Sequence, residues 1–209
     1  EGIAHAISLA QKFARGSNLC VVLGDNIFYG RGLSAAINEA KLATDIEGVA
    51  SCLTYTVANP SRYGVLEVDA SNKPISLEEK PDNPKSNLAI TGLYFFPRDI
   101  FDVVASLEPS VRGEFEVSDV NRWYMHKSRL KSFSLPRGMA WLDTGTLESI
   151  TEASQFVGAI EKRQGLKIAC LEEIAFNNGW ISRHEVLAAV DRLKNSEYGD
   201  YLSKLVGRN

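Results

Sequence analysis

Residues 19–30 read LCVVLGDNIFYG. Leu19 to Leu23 is a short, continuous apolar run containing two valines, and it predicts a strand buried on both faces, as in a parallel sheet. The run stops at Gly24-Asp25-Asn26. A carboxylate placed where such a strand meets its first loop lies at the carboxyl edge of the sheet, where open α/β sheets bind ligands. Gly, Asp and Asn are also common turn residues. Taken alone, the triplet leaves a ligand-binding Asp25 and a plain turn equally open.

Working outward, Ile3, Ile7, Ala10 and Ala14 share a helical face and predict a helix that stops at Arg15-Gly16-Ser17. Leu33, Ile37, Ala40 and Lys41 mark a second helix to about Ala43, and VASCLTYTV (49–57) is a β-rich run ended by Asn59-Pro60. This alternation argues for α/β layers. Between Arg62 and Phe96 the spacing predicts three short strands, Tyr63 to Val68, Ile75 to Glu79 and Ala89 to Phe96, with Asp69 to Lys73 as a hairpin turn. Helices are expected after Pro97-Arg98-Asp99 and over Val117 to Tyr124. A strand follows over Leu130 to Leu135, then a brief apolar approach, Ala140-Trp141-Leu142, to Asp143. From Thr146, a plausible N-cap, Leu147, Ile150, Ala153, Val157 and Ile160 form one stripe. Short helices follow at Leu171 to Phe176, Arg183 to Leu193 and Tyr198 to Val206. The expected organisation is an α/β core over 1–160 with an all-helical appendage over 161–209.

The 209 residues suffice for a large core, and 44% hydrophobic with 23% charged residues describes an ordinary globular protein. With 26 acidic against 23 basic residues there is no basic footprint for nucleic acid. The uncharged run Gly48 to Ala58 is too short to span a bilayer, so no membrane association is expected. Cys20, Cys52 and Cys170 lie in apolar surroundings without metal-ligand spacing, which predicts buried free thiols in a reducing compartment, the cytoplasm.

Asp143, in WLDTGT, repeats the placement of Asp25 at a strand's carboxyl end. Two such carboxylates at one sheet edge would suit Mg²⁺, which is held through one or two carboxylates plus substrate phosphates. A helix-capping Asp143 is the weaker reading, because Thr146 is the better cap. Gly64 beside Tyr63, in Arg62-Tyr63-Gly64-Val65, would let a ligand approach the backbone with a ring bounding the pocket, or would mark a simple β-bulge. In Glu78-Glu79-Lys80-Pro81 only one glutamate can face a pocket, because adjacent strand residues point oppositely. Such a glutamate can accept a sugar hydroxyl and Lys80 can meet a phosphate, although a charged strand end is usually just solvated. Arg112, ahead of the helix over 117–124, is a candidate for bidentate phosphate binding or plain surface. His5, His126 and His184 form no cluster.

Taken together, LGDNIFYG (23–30), PSRYGV (60–65), EEKP (78–81), TGLYFF (91–96), RGE (112–114), WLDTGT (141–146) and EKRQGLKIACLEEIAF (161–176) resemble the glucose-1-phosphate thymidylyltransferases. The likeness spreads over essentially the whole chain. It implies a Rossmann-like, GT-A-like mixed sheet flanked by helices with a C-terminal helical appendage. It further implies transfer of a nucleotidyl group from dTTP to glucose 1-phosphate with Mg²⁺, giving dTDP-glucose and pyrophosphate for dTDP-rhamnose and cell-surface polysaccharide such as lipopolysaccharide. By position it assigns Asp25 and Asp143 to the metal, and Tyr63, Gly64, Glu79 and Ile90 to the sugar-phosphate pocket, which the TGLYFF segment continues at Gly92. Lys80 and Arg112 match phosphate contacts, and Gly2 a glycine near the nucleotide base. The helical tail implies a homo-oligomer, usually a tetramer, and a second, regulatory nucleotide site.

The family's upstream glycine-rich loop, with its catalytic Arg and Lys, has no counterpart in these residues, and His5 stands where the family usually has Gln. The expectation from this is an inactive polypeptide with an unpaired edge beside Leu19 to Leu23, marginal in stability or compensated by a partner. A nucleotidyltransferase using UTP, CTP or ATP, or a non-catalytic sugar-phosphate-binding or assembly module, is the alternative.

Overall fold

The computed structural model describes residues 2–14, 16–110 and 113–207. The chain divides into two compact units, Glu1–Thr144 and Gly145–Asn209.

In the first unit, α1 (Gly2–Leu9) and α2 (Gln11–Ala14) lead into β1 (Leu19–Val22) and β2 (Asn26–Tyr29), then α3 (Leu33–Glu47) and β3 (Ala50–Thr56). β4 (Gly64–Val68), β5 (Pro74–Glu79) and β6 (Leu88–Phe96) precede α4 (Ile100–Ala105), α5 (Val117–His126), β7 (Leu130–Ser134) and β8 (Ala140–Asp143). The main sheet runs β5-β4-β6-β3-β7, with β1 on the far half of β6. Only the β3–β7 pair is parallel among the described pairings. β2 and β8 form a separate two-stranded antiparallel ribbon.

β6 is almost wholly apolar because both of its faces are covered. Ile90, Tyr94 and Phe96 enter a core completed by Ala4, Ile7, Val103, Val120 and Tyr124 of α1, α4 and α5. Ala89, Leu93 and Phe95 enter another with Ala36 and Ala40 of α3, Leu53 and Trp141. The mixed sheet flanked by helices is the architecture that the sequence implies.

Three local expectations are corrected. β1 is not buried on both faces: Leu19, Val21 and Leu23 pack on the first core, while Cys20 is exposed and Val22 is 59% exposed. The cause is one-sided packing and an antiparallel pairing to β6 alone among the described residues. Cys20 is therefore not the buried thiol expected, whereas Cys52 and Cys170 are buried. The first helix is broken at Ala10, whose N–H bonds back to Ile7 in a tighter turn. α3 runs beyond Ala43 to Glu47 and stops at Gly48, whose φ of 66° closes the helix.

One polar network crosses the first unit. Arg129 Nη1 donates to Asp99 Oδ2 at 2.6 Å, Tyr124 Oη donates to Asp99 Oδ1 at 2.9 Å, and the guanidinium lies 5.3 Å from the Tyr124 ring centre. Burial by itself would raise the Asp99 pKa; the hydrogen bonds from Arg129 and Tyr124 outweigh it and hold the carboxyl below its ordinary value of 3.8. A depressed folded-state pKa stabilises the fold above the unfolded value and loses that increment as pH falls through the folded one. Asp99→Asn should therefore cost about 1–2 kcal/mol at pH 7. Urea unfolding at pH 7 and pH 3 checks this, with the gap to the wild type narrowing at the lower pH.

In the second unit, α6 (Leu147–Gln164) is capped by Thr146, whose Oγ1 accepts from Ser149 N in a reciprocal capping box. α7 (Leu171–Asn177), α8 (Arg183–Arg192) and α9 (Glu197–Gly207) enclose a small core of Cys170, Val186, Ala189, Leu202 and Val206.

Candidate active site

Seven separated stretches of the first unit, 2–6, 23–26, 62–64, 79–80, 90–94, 114–118 and 141–143, open on one cleft of about 440 Å³. The β4–β5 hairpin supplies one wall. Gly64 pairs with Glu79 in register, so the two lie on one face, and Lys80 N closes the hairpin end by donating to Tyr63 O at 3.0 Å. Glu79, not Glu78, reaches the cleft; Glu78 turns away to Lys85 at 2.6 Å. This is the alternation expected of neighbouring strand residues. Lys80 holds φ at 45°, an uncommon conformation for a non-glycine residue, and lines the cleft.

β6 supplies the floor through Ile90, Gly92 and Tyr94, alternate residues on one face. Full burial pushes the Tyr94 phenol far above its ordinary pKa, with smaller contributions from Cys52 and Glu79, so it stays a neutral hydroxyl. The amino end of α5 brings Val117 and Ser118, and the Ser118 hydroxyl donates to the Glu79 carboxylate. Gly2, Ile3 and Ala6 of α1 close another side. Gly2 is required sterically: its φ is 82°, and a Cβ there would lie 2.4 Å from Phe115 O.

The β2–β8 ribbon carries the two aspartates. Asn26 faces Asp143 in its register, and Thr144 ties the loop to the other strand, its N and Oγ1 donating to Asp25 O at 2.9 and 2.8 Å. Trp141, on β8, stands 5.0 Å from the Tyr63 ring and 6.0 Å from that of Tyr55.

The structure thus brings Gly2, Asp25, Tyr63, Gly64, Glu79, Lys80, Ile90, Gly92 and Asp143 to the same cleft. Arg112 lies outside the described residues. Asn26, Arg62 and Ser118 also line the cleft, although the sequence patterns assign none of them a role; the pairings of Asn26 with Trp141 and of Ser118 with Glu79 span 115 and 39 residues. A larger cavity, about 670 Å³ between α3, β7 and the β4–β5 turn, holds none of these residues.

The charge of the cleft decides what it can take. Its described lining has five carboxylates, Asp25, Asp143, Glu79, Glu114 and Glu116, against the cations Arg62 and Lys80. An anionic ligand entering such a site needs added positive charge. Among the described residues no group of three or more His, Cys, Asp or Glu side chains forms a closed metal cage. Two carboxylates with room for ligand oxygens is instead the donor set that suits a hard divalent ion shared with a phosphate.

The sequence profile of the nucleotidyl transferases matches residues 1–159. The chain belongs to the nucleotidyl transferase family. Within that family it is 43% identical over 208 residues to the glucose-1-phosphate thymidylyltransferase of Neisseria gonorrhoeae, covering 100% of this chain and 71% of the relative. A solved Bacillus anthracis protein described as a glucose-1-phosphate thymidylyltransferase, in complex with sucrose, is 35% identical. It superposes with a TM-score of 0.66 over 74% of this chain and 60% of its own. UDP-glucose pyrophosphorylase complexed with UDP-glucose shares the nucleotidyl transferase fold at 22% identity, with a TM-score of 0.68 over 78% of this chain and 63% of that one. No helix among the described residues is long and apolar enough to cross a membrane.

Proposed function

We propose that this chain carries the sugar-phosphate side of a glucose-1-phosphate thymidylyltransferase site, for transfer from dTTP to glucose 1-phosphate. The observation that carries this reading is the convergence of nine residues from separate stretches of the chain on one acidic cleft. The likeness to the Neisseria gonorrhoeae enzyme over the whole chain supports the choice of substrates.

In this reading the Glu79 carboxylate, held by Ser118, accepts a hydroxyl of the sugar. The Gly64 backbone lies close enough for hydrogen bonding because no side chain intervenes, and Tyr63 and Ile90 bound the ring while the bare backbone of Gly92 leaves it room. Lys80 and Arg112 take the sugar phosphate, and Gly2 lies towards the nucleotide base. Asp25 and Asp143 would hold Mg²⁺, which when bound supplies positive charge for the phosphates. The sugar-phosphate oxygen then attacks the α-phosphorus of dTTP in line; a P–O bond forms as the bond to pyrophosphate breaks. The protein's part is to position two anions and neutralise them.

Residues 1–160 carry this chemistry and 161–209 serve assembly into a homo-oligomer, a tetramer in this reading. Exposed Leu171 and Trp180 support an assembly role for these helices. The product feeds dTDP-rhamnose and cell-surface polysaccharide synthesis in the cytoplasm.

Calorimetric titration of glucose 1-phosphate, with Mg²⁺ present, tests the reading. We expect binding by the wild type and a loss of about tenfold or more in Glu79→Ala, the scale of one charge-assisted hydrogen bond removed from a buried partner. No binding to a folded wild-type chain would overturn it.

A further inference from the structure

Asp25 is exposed and stands at a loop, so its carboxylate would sample several orientations unless something fixed it. Asn26 does so. Its Nδ2 donates to Asp25 Oδ1 at 2.8 Å, while its Oδ1 accepts from Trp141 Nε1 at 2.6 Å and from Gly92 N at 3.2 Å. The partners dictate the orientation of the amide. Two N–H donors converge on the oxygen and a carboxylate faces the nitrogen, so a flipped amide would set donor against donor and acceptor against acceptor.

The sheet is also cleared for this side chain. A Cβ on Gly92 would come within 2.7 Å of the Asn26 amide. Gly92 thereby gives the amide both space and a backbone donor. One side chain therefore joins the exposed carboxylate, the aromatic wall at Trp141 and the central strand β6.

We propose that Asn26 is a positioning residue that pre-orients Asp25 for a divalent cation and locks it to the Trp141 wall of the sugar pocket. This rests on the reading of the cleft given above. An ordered carboxylate has lost its rotational freedom before the cation arrives, so less of the binding free energy goes to ordering it. Partners of metal ligands typically contribute tenfold to a hundredfold in metal affinity.

The test uses Mn²⁺ alone as probe, titrated into the whole chain and followed by electron paramagnetic resonance. Asn26→Ala should weaken Mn²⁺ about tenfold. If Asn26 acts through Asp25, Asp25→Ala/Asn26→Ala should bind no more weakly than Asp25→Ala. The Trp141 indole N–H should shift and exchange faster in Asn26→Ala but stay put in Asp25→Ala. Gly92→Ala, which displaces the amide without removing it, should reproduce the Mn²⁺ loss if Asn26→Ala proves poorly folded. Wild-type affinity in both Asn26→Ala and Gly92→Ala, or losses that add in the double variant, would overturn the proposal. A wild type that binds glucose 1-phosphate but not Mn²⁺ overturns it and leaves the sugar-phosphate reading standing; one that binds neither overturns both.

Discussion

Trp141→Ala is expected to lower the stability of the first unit by about 3–5 kcal/mol, the cost typical of emptying a buried tryptophan site. Trp141 is only 8% exposed and packs with Leu53, Phe95, Leu135 and Met139. Its ring also braces Tyr63 and Tyr55, and its Nε1 donates to Asn26. Removing it opens a cavity, withdraws a donor from Asn26 and leaves Tyr63 without its neighbour. Trp141→Phe keeps most of the apolar volume but not the donor, so it should cost only about 1–2 kcal/mol. Urea unfolding followed by circular dichroism separates the two variants. Titration of glucose 1-phosphate into the folded fraction should show weaker binding in the alanine variant than in the phenylalanine one.

Gly199→Ala should destabilise the second unit, in the direction opposite to helix propensity. Within a helix, alanine ordinarily gains up to about 1 kcal/mol over glycine. Gly199 is in α9, but a Cβ there would lie 2.3 Å from Leu193 O and 2.8 Å from Leu193 C. These are backbone atoms, held by Ser196, whose Oγ donates to Leu193 O at 2.6 Å and accepts from Gly199 N at 3.1 Å. No rotamer change relieves the overlap, so α9 must move off the core that its Leu202 and Val206 complete. Overpacking of this kind costs about 1–3 kcal/mol or more. A small unit has little reserve to absorb that. Hydrogen exchange should show lost protection across α8 and α9 with the strands of the first unit unchanged; wild-type protection in α9 would refute the steric argument.

The helices of the second unit were legible because their ends are written locally. Thr146 with Ser149, and Ser182 with Glu185, are capping boxes a few residues long, and Gly165 closes α6 with φ at 65°. The main strands were legible from apolar runs such as 88–96. What the sequence did not reveal is non-local. Asn26–Tyr29 is four residues of mixed character that become a strand only by pairing with Ala140–Asp143, and no local pattern announces that. β1 departs from its apolar pattern for the same reason: its run fits a covered strand, and which faces are covered depends on elements far away in the chain. Among the site residues, those in compact motifs, Asp25, Tyr63-Gly64, Glu79-Lys80 and Asp143, could be chosen from sequence. Ser118 and Asn26 could not, because their partners Glu79 and Trp141 are remote.

The ribbon also fixes when the cleft can come into being during synthesis. Its strands are more than a hundred residues apart, so neither aspartate has its neighbour until β8 has left the ribosome, after every strand of the main sheet. Closing so long a loop is entropically costly and comes late when nearer contacts can form first. The nascent sheet can therefore collapse around β3 and β6 while the loop carrying Asp25 still lacks the opposite strand of its ribbon. Ligand-binding competence should arrive as the last step in the folding of the first unit, with the pairing of Asn26 and Asp143.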